Sequence, residues 1–172
     1  MTLISGPVAL PDPPGATVVH VESALEMREA VEAALPADVF IGAAAVADWR
    51  VDAVARGKIK KDVGAAPTLR LVENPDILAE VSKKTDLRPV VVVGFAAETE
   101  DVTANARTKL IRKGCDLIVA NSVAEGSSTF GGETNQVQLI DCNSIDSLPT
   151  MSKAEVAERI MQRVAVELAK RS

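Results

Sequence analysis

Lys58, Lys60 and Lys61 crowd the stretch GKIKK directly after a glycine. Side chains alternate along extended backbone, so Lys58 and Lys60 would point the same way there. Ammonium groups on flexible stems suit phosphate oxygens, although a short basic run is equally the mark of a solvated surface. Upstream, Gly42, Ala44, Ala45 and Asp48 follow a short apolar run. Small side chains let a ligand approach the backbone closely, and Asp48 then offers a carboxylate to a cation or a polar substrate group. Tight helix-on-sheet packing with a turn-forming aspartate accounts for the same residues. In ENPDIL, Asn74 can cap a helix with Pro75 at its first position and Asp76 in its first turn, followed by Ile77. The free N–H groups of such a terminus accept anions or polar atoms, or simply a cap.

Further along, Lys109 and Lys113 stand four apart on one helix face, within reach of a phosphate or in solvent. Phe95, in GFAAETE, can stack on a planar base or plug the core. Asn121 ends an apolar run, where an amide reads a ligand or closes a turn. Together these residue types favour a ligand with phosphates and a planar base. Neither GxxxxGK[ST] nor GxGxxG occurs, so the usual phosphate loops are missing.

Elements of two kinds must position these residues. TLISG, TVVHVE, VFIGAAA, LRLVE, VVVVGF, DLIVAN and QVQLID read as strands, most of them continuous apolar runs. Ser23 and Glu26 form a capping box for a helix over 24–35, and Ser152 with Glu155 does the same for a last helix running to about residue 170. A helix over 101–113 stops at Gly114. The stretch 46–68 reads as polar connection, and 127–135 as a Gly- and Ser-rich loop. Buried strands alternating with helices predict a three-layer, Rossmann-like α/β domain with a mostly parallel sheet and right-handed crossovers. In such a sheet ligands bind beyond the carboxyl ends of the strands, which would bring 43–48, 95–98 and Asn121 to one crevice. No linker divides the chain.

Composition narrows the classes. The chain has 172 residues, 47% of them hydrophobic and 2% aromatic, so its core is aliphatic. A net charge of −5 offers nucleic acid no global basic field. One histidine, His20 in a strand-like stretch, argues against a His-based metal site or a Ser-His-Asp triad. Cys115 and Cys142 show no metal or CxxC spacing. Unpaired thiols without a signal peptide fit a reducing cytoplasm, and no apolar run is long enough for a membrane span.

The ordered series FIGAAAVADWRV, KIKK, ENPDIL, VVGFAAETED, KLIRKGCDLIVANSV and FGGETNQVQLID resembles bacterial phosphopantothenoylcysteine synthetase. That is the synthetase half of a bifunctional coenzyme A biosynthesis protein, and the likeness covers nearly the whole chain. The resemblance implies a CTP-dependent ligase. The carboxylate of 4′-phosphopantothenate attacks the α-phosphate of CTP, an acyl-cytidylate forms, and the amine of cysteine displaces CMP, with Mg²⁺ assisting. It places Gly42, Asp48, Lys58, Asn74, Pro75, Asp76, Ile77, Phe95, Lys109 and Lys113 on CTP-contacting positions, and Ala44 and Ala45 beside the substrate. It makes Lys58 the lysine needed for activity, Asp48 a ligand for substrate or cation, and Asn121 a nucleotide contact. It also implies a homodimer through strands that include part of 123–140, with a dimerisation strand or hairpin region, and a decarboxylase half in the full-length protein.

The family opens with a strand, a Gly-rich loop of Ser-Asn-x-Ser-Ser-Gly type and a helix, and nothing in residues 1–172 matches them. The expectation is therefore a synthetase domain lacking that segment and poor in ligase activity alone. A non-catalytic nucleotide-binding or dimerisation module is the competing reading. A Rossmann dehydrogenase is disfavoured by the missing GxGxxG.

Overall fold

The computed structural model describes residues 1–53, 57, 68–122 and 132–171. In chain order its first elements are β1 (Thr2–Ser5), β2 (Thr17–His20), α1 (Ala24–Ala33), β3 (Val39–Gly42), β4 (Trp49–Val51), β5 (Leu71–Glu73) and α2 (Ile77–Ser82). Then follow β6 (Val91–Glu98), α3 (Val102–Lys113), β7 (Leu117–Ser122), β8 (Thr134–Asn135), β9 (Val137–Ile140), β10 (Ile145–Ser147), β11 (Met151–Ser152) and α4 (Lys153–Ala169). They form two compact units, residues 1–33 with 44–76 and residues 34–43 with 77–172. The division follows no linker. The chain passes from one unit to the other at 33/34, 43/44 and 76/77, which is why sequence alone shows an undivided chain.

The second unit holds a five-stranded sheet in the order β10-β9-β7-β6-β3. β3, β6 and β7 run parallel, while β9 pairs antiparallel with β7 and β10 antiparallel with β9. The sheet is therefore mixed, which corrects the expectation of a mostly parallel one. Parallel neighbours need a crossover, usually a helix, whereas antiparallel ones do not. α3 supplies that crossover between β6 and β7, and no helix lies between β7 and β9 among the described residues.

The unit has three layers. Val91, Val93, Leu117, Val119, Val137 and Leu139 point to one face and pack with Val156, Ile160 and Val164 of α4. The alternate positions point to the other face. There Thr103 of α3 donates to Gln138 Oε1 at 2.8 Å, and Leu78 of α2 lies over Gly94. A Cβ at Gly94 would come within 2.5 Å of Leu78 Cδ2 and 2.9 Å of Ile118 Cδ1. A side chain there would have to push the Leu78 and Ile118 methyls aside, so glycine is what suits the present packing of α2.

Polar hubs fasten α4 to the sheet. The Asp116 carboxylate accepts from the Val92 N–H (2.7 Å), Arg88 Nη2 (3.1 Å) and Arg171 Nη1 (2.6 Å), joining the chain beyond α4 to the amino ends of β6 and β7. Asp141 accepts from the N–H groups of Asn143 and Ser144, the Ser144 hydroxyl and Arg163. Arg163 also reaches Glu167 at 3.1 Å. α4 opens with the capping box of Ser152 and Glu155, and Gly114 closes α3 with φ +75°.

The first unit is built from pairs. β1 and β2 form a two-stranded parallel sheet, and β4 and β5 an antiparallel ribbon with Trp49 opposite Glu73 and Val51 opposite Leu71. β4 lies inside the stretch read as polar connection. Its alternation of Trp49, Arg50 and Val51 is a weak strand signal because its partner is distant in sequence. α1 has the expected capping box, with Glu26 N–H donating to Ser23 Oγ and Ser23 N–H to Glu26, and ends at Ala33 rather than at residue 35.

Candidate functional site

In the first unit the candidate residues gather at one end of the β4–β5 ribbon. Ala44, Ala45 and Asp48 are exposed and lead into β4. Asp48 is anchored through its backbone, its carbonyl accepting from the Asn74 N–H at 2.8 Å. The Asn74 side chain donates from Nδ2 to the Ala47 carbonyl at 2.8 Å and accepts at Oδ1 from Arg50 Nη1 at 3.4 Å. Arg50 Nη1 also donates to the Glu73 carbonyl. Asp48 and Asn74 are thus brought together, with the Asp48 carboxylate left facing outward. Trp49, the single tryptophan of the chain, is next in line and 54% exposed. Pro75 and Asp76 follow directly. Pro75 is not the first helical residue, since α2 begins at Ile77. Asn74 is engaged by Ala47 and Arg50 rather than serving as the immediate helix cap.

In the second unit Gly42 pairs with Gly94 across β3 and β6. A Cβ at Gly42 would meet Phe40 at 3.1 Å and Leu78 at 3.6 Å, so its smallness serves the packing of α2 on the sheet. Buried Ile77 opens α2. Phe95 is half-buried against the core under α4. Two residues on along the same face lies Ala97, whose partner on β7 is Asn121. Asn121 is only 9% exposed, and among the described residues its amide makes no side-chain hydrogen bond. The fully buried, unpartnered side-chain polar atom among the described residues is the Ser82 hydroxyl instead, so the Asn121 amide keeps some access to solvent at the carboxyl end of β7.

Lys109 and Lys113 stand elsewhere. α3 runs back along the sheet, so its second half lies toward the amino ends of β6 and β7, with Lys113 next to Gly114. From Asn121 back to the start of β7 is about 13 Å at 3.3 Å per residue. The topology of this unit does not bring the two lysines to the strand ends that hold Phe95 and Asn121. Lys58, Lys60 and Lys61, and positions 123–131 of the expected dimer region, lie outside the described residues.

Among the described residues no group of three or more His, Cys, Asp or Glu side chains could hold a metal ion. Mg²⁺ ordinarily takes most of its ligands from phosphates and water, and the exposed carboxylate of Asp48 fits that mode of binding. His20 is exposed beside Asp12 at 3.2 Å. Burial pushes the Cys115 thiol up to about 11, so it stays protonated and unreactive near neutrality.

Sequence reasoning missed Arg50, which ties together positions 24 apart, and the Asp116 hub. No local pattern announces either one. The second unit, a mixed five-stranded sheet with helices on both faces, defines the class as an α/β protein. Residues 1–168 match the family model described as DNA/pantothenate metabolism flavoprotein, C-terminal domain, and the chain belongs to that family. It is 44% identical over 166 residues to the coenzyme A biosynthesis bifunctional protein CoaBC of Vibrio cholerae, covering 95% of this chain and 41% of that one. The chain therefore spans about two fifths of the length of that relative. A crystal structure of the C-terminal domain of CoaBC superposes with a TM-score of 0.78 at 33% identity, over 98% of this chain and 74% of that one. A Cab2 mutant in complex with phosphopantothenate-cysteine shares the fold at 16% identity, with a TM-score of 0.67 over 90% of this chain and 55% of that one. The resemblance read from the motifs is borne out as a family assignment.

Proposed function

We propose that the chain is the phosphopantothenate–cysteine ligase domain of a CoaBC-type protein and binds CTP as co-substrate. The observation that carries this reading is the family membership over residues 1–168. The 4′-phosphopantothenate carboxylate bonds to the α-phosphorus of CTP while the bridging P–O bond breaks and pyrophosphate leaves. The amine of cysteine then bonds to the acyl carbon, CMP departs with the acyl C–O bonding pair, and the amine proton passes to solvent or a base. Lysine charge and positioning supply the activation. Mg²⁺, when bound, neutralises phosphate charge, and Asp48 is the residue here that would hold it.

Within that reading Lys58 stabilises the α-phosphate during attack. Gly42, Ala44 and Ala45 leave room for substrate, and Asn74, Pro75, Asp76 and Ile77 border the nucleotide. Phe95 and Asn121 take the base or sugar. Lys109 and Lys113 enter on the resemblance alone, and their distance from Asn121 predicts the weaker effect. The complex in the Cab2 relative fits such a product. Homodimerisation through part of 123–140 and a decarboxylase half elsewhere in the polypeptide belong to the same proposal, as does a cytoplasmic site of action. Among the described residues no helix is long and apolar enough to cross a membrane.

Calorimetric titration with CTP and ATP, of the chain and of Lys58→Gln, tests the reading. CTP should bind, and the substitution should weaken it about tenfold or more. Equal binding by the two proteins removes the role of Lys58, and no CTP binding removes the ligase reading.

A further inference from the structure

We infer that Arg50 is a positioning residue of the nucleotide site, one that holds Asn74 as a clamp on the backbone of Ala47 and Asp48. This rests on the ligase reading and adds a residue to it. The chemistry of the neighbours fixes the orientation of the Asn74 amide. The Ala47 carbonyl can only accept, so Nδ2 must face it, and a guanidinium can only donate, so Oδ1 must face Arg50. The geometry agrees at both contacts, 2.8 Å and 3.4 Å. Asn74 thereby grips two successive carbonyls, Ala47 with its side chain and Asp48 with its main-chain N–H at 2.8 Å.

Arg50 does more than complete the amide. Its Nη1 also takes the Glu73 carbonyl, the last of β5. Among the described residues its guanidinium meets no carboxylate, and both contacts are to neutral oxygens. A half-buried arginine without a carboxylate partner adds little as a surface ion pair. Its five donors in a rigid fork are suited to fixing acceptors in place. The outcome is an Asp48 whose backbone is immobilised while its carboxylate stays exposed. Preorganisation of that kind matters because small misplacements of a binding group are costly. Asn74 then acts as a spacer whose amide is already in use, and it does not read the ligand with a free side chain.

The test uses the 172-residue chain, Arg50→Ala, Arg50→Lys, Asn74→Asp and the Arg50→Ala/Asn74→Asp double variant. CTP affinity is read by calorimetry, and the Asn74 side-chain amide resonances by ¹H–¹⁵N NMR without ligand. Arg50→Ala should weaken CTP about tenfold and shift the Asn74 amide pair. Asn74→Asp sets an acceptor against the Ala47 carbonyl and should do the same, and the double variant should be no worse than either single one. Arg50→Lys, which keeps a donor but not the fork, should recover part of the loss. A merely structural arginine would lower stability without this non-additivity in CTP affinity. A folded Arg50→Ala that binds CTP within about twofold of the unsubstituted chain overturns the inference, whatever the amide does. If the unsubstituted chain binds no CTP, the ligase reading falls and the positioning role with it. The Asn74 resonances then report separately whether the clamp exists.

Discussion

The two units of this chain divide the work of folding and of chemistry unequally. In the unit of residues 34–43 and 77–172 the central strands β6 and β7 are apolar on both faces. Val91, Val92, Val93, Leu117, Ile118 and Val119 are all fully buried. In the unit of residues 1–33 and 44–76, Val21 and Val31 are the buried hydrophobics among the described residues, and its strands come in pairs. Yet that unit carries Asp48, Asn74 and Arg50, with hydrogen bonds tying positions far apart in sequence. A core of β-branched residues stabilises by burial and tolerates no displacement. A ribbon end held by a few polar bonds contributes little burial, yet it fixes the Asp48 backbone and leaves its carboxylate exposed.

The contrast breaks first at the core. Leu117→Ala should cost about 2–5 kcal/mol, read as a fall in urea midpoint at constant slope. A smaller loss would mean the sheet is not the main source of stability. The Asp141 hub comes next. Burial pushes its carboxyl up, but the N–H of Asn143, the hydroxyl and N–H of Ser144 and the Arg163 guanidinium outweigh this and hold it below the ordinary 3.8. A carboxyl depressed in the folded state stabilises the fold above its ordinary value, and that contribution is lost as pH falls through the folded-state value. Asp141→Asn should therefore cost about 1–3 kcal/mol at pH 7. It should also flatten the decline in stability below pH 3.8. The smallest stability effect belongs to the other unit. Asp48→Asn should change unfolding free energy by under about 0.5 kcal/mol while weakening Mg²⁺-dependent CTP binding. A large loss of stability would erase the distinction.

Those same differences decide what was legible in the sequence. β6 and β7 show as unbroken apolar runs, and Ser152 with Glu155 and Gly114 announce their helix ends by local chemistry. The residue types at 42–48 and 74–77 mark a candidate site for the same local reason. The β4–β5 ribbon pairs Trp49 with Glu73 across a long connection, and such pairing leaves almost no local trace. The reversal of β9, the fit of glycine at position 94 and the reach of Arg50 to Asn74 depend on neighbours distant in sequence. Lys109 and Lys113 illustrate the converse. Their spacing gives a helix face, but only the course of α3 along the sheet tells which end of the strands they approach.

The most direct measurement of the central claim is mapping of backbone and side-chain amide shifts on addition of CTP with Mg²⁺. The account predicts shifts concentrated at Asp48 to Arg50, at Asn74 to Ile77 with Pro75 excepted, and at Phe95 and the Asn121 side chain. It predicts weaker ones around Lys109 and Lys113, and none at the Asp116 and Asp141 hubs. Shifts centred on those hubs, or no shifts at saturating CTP, would contradict it.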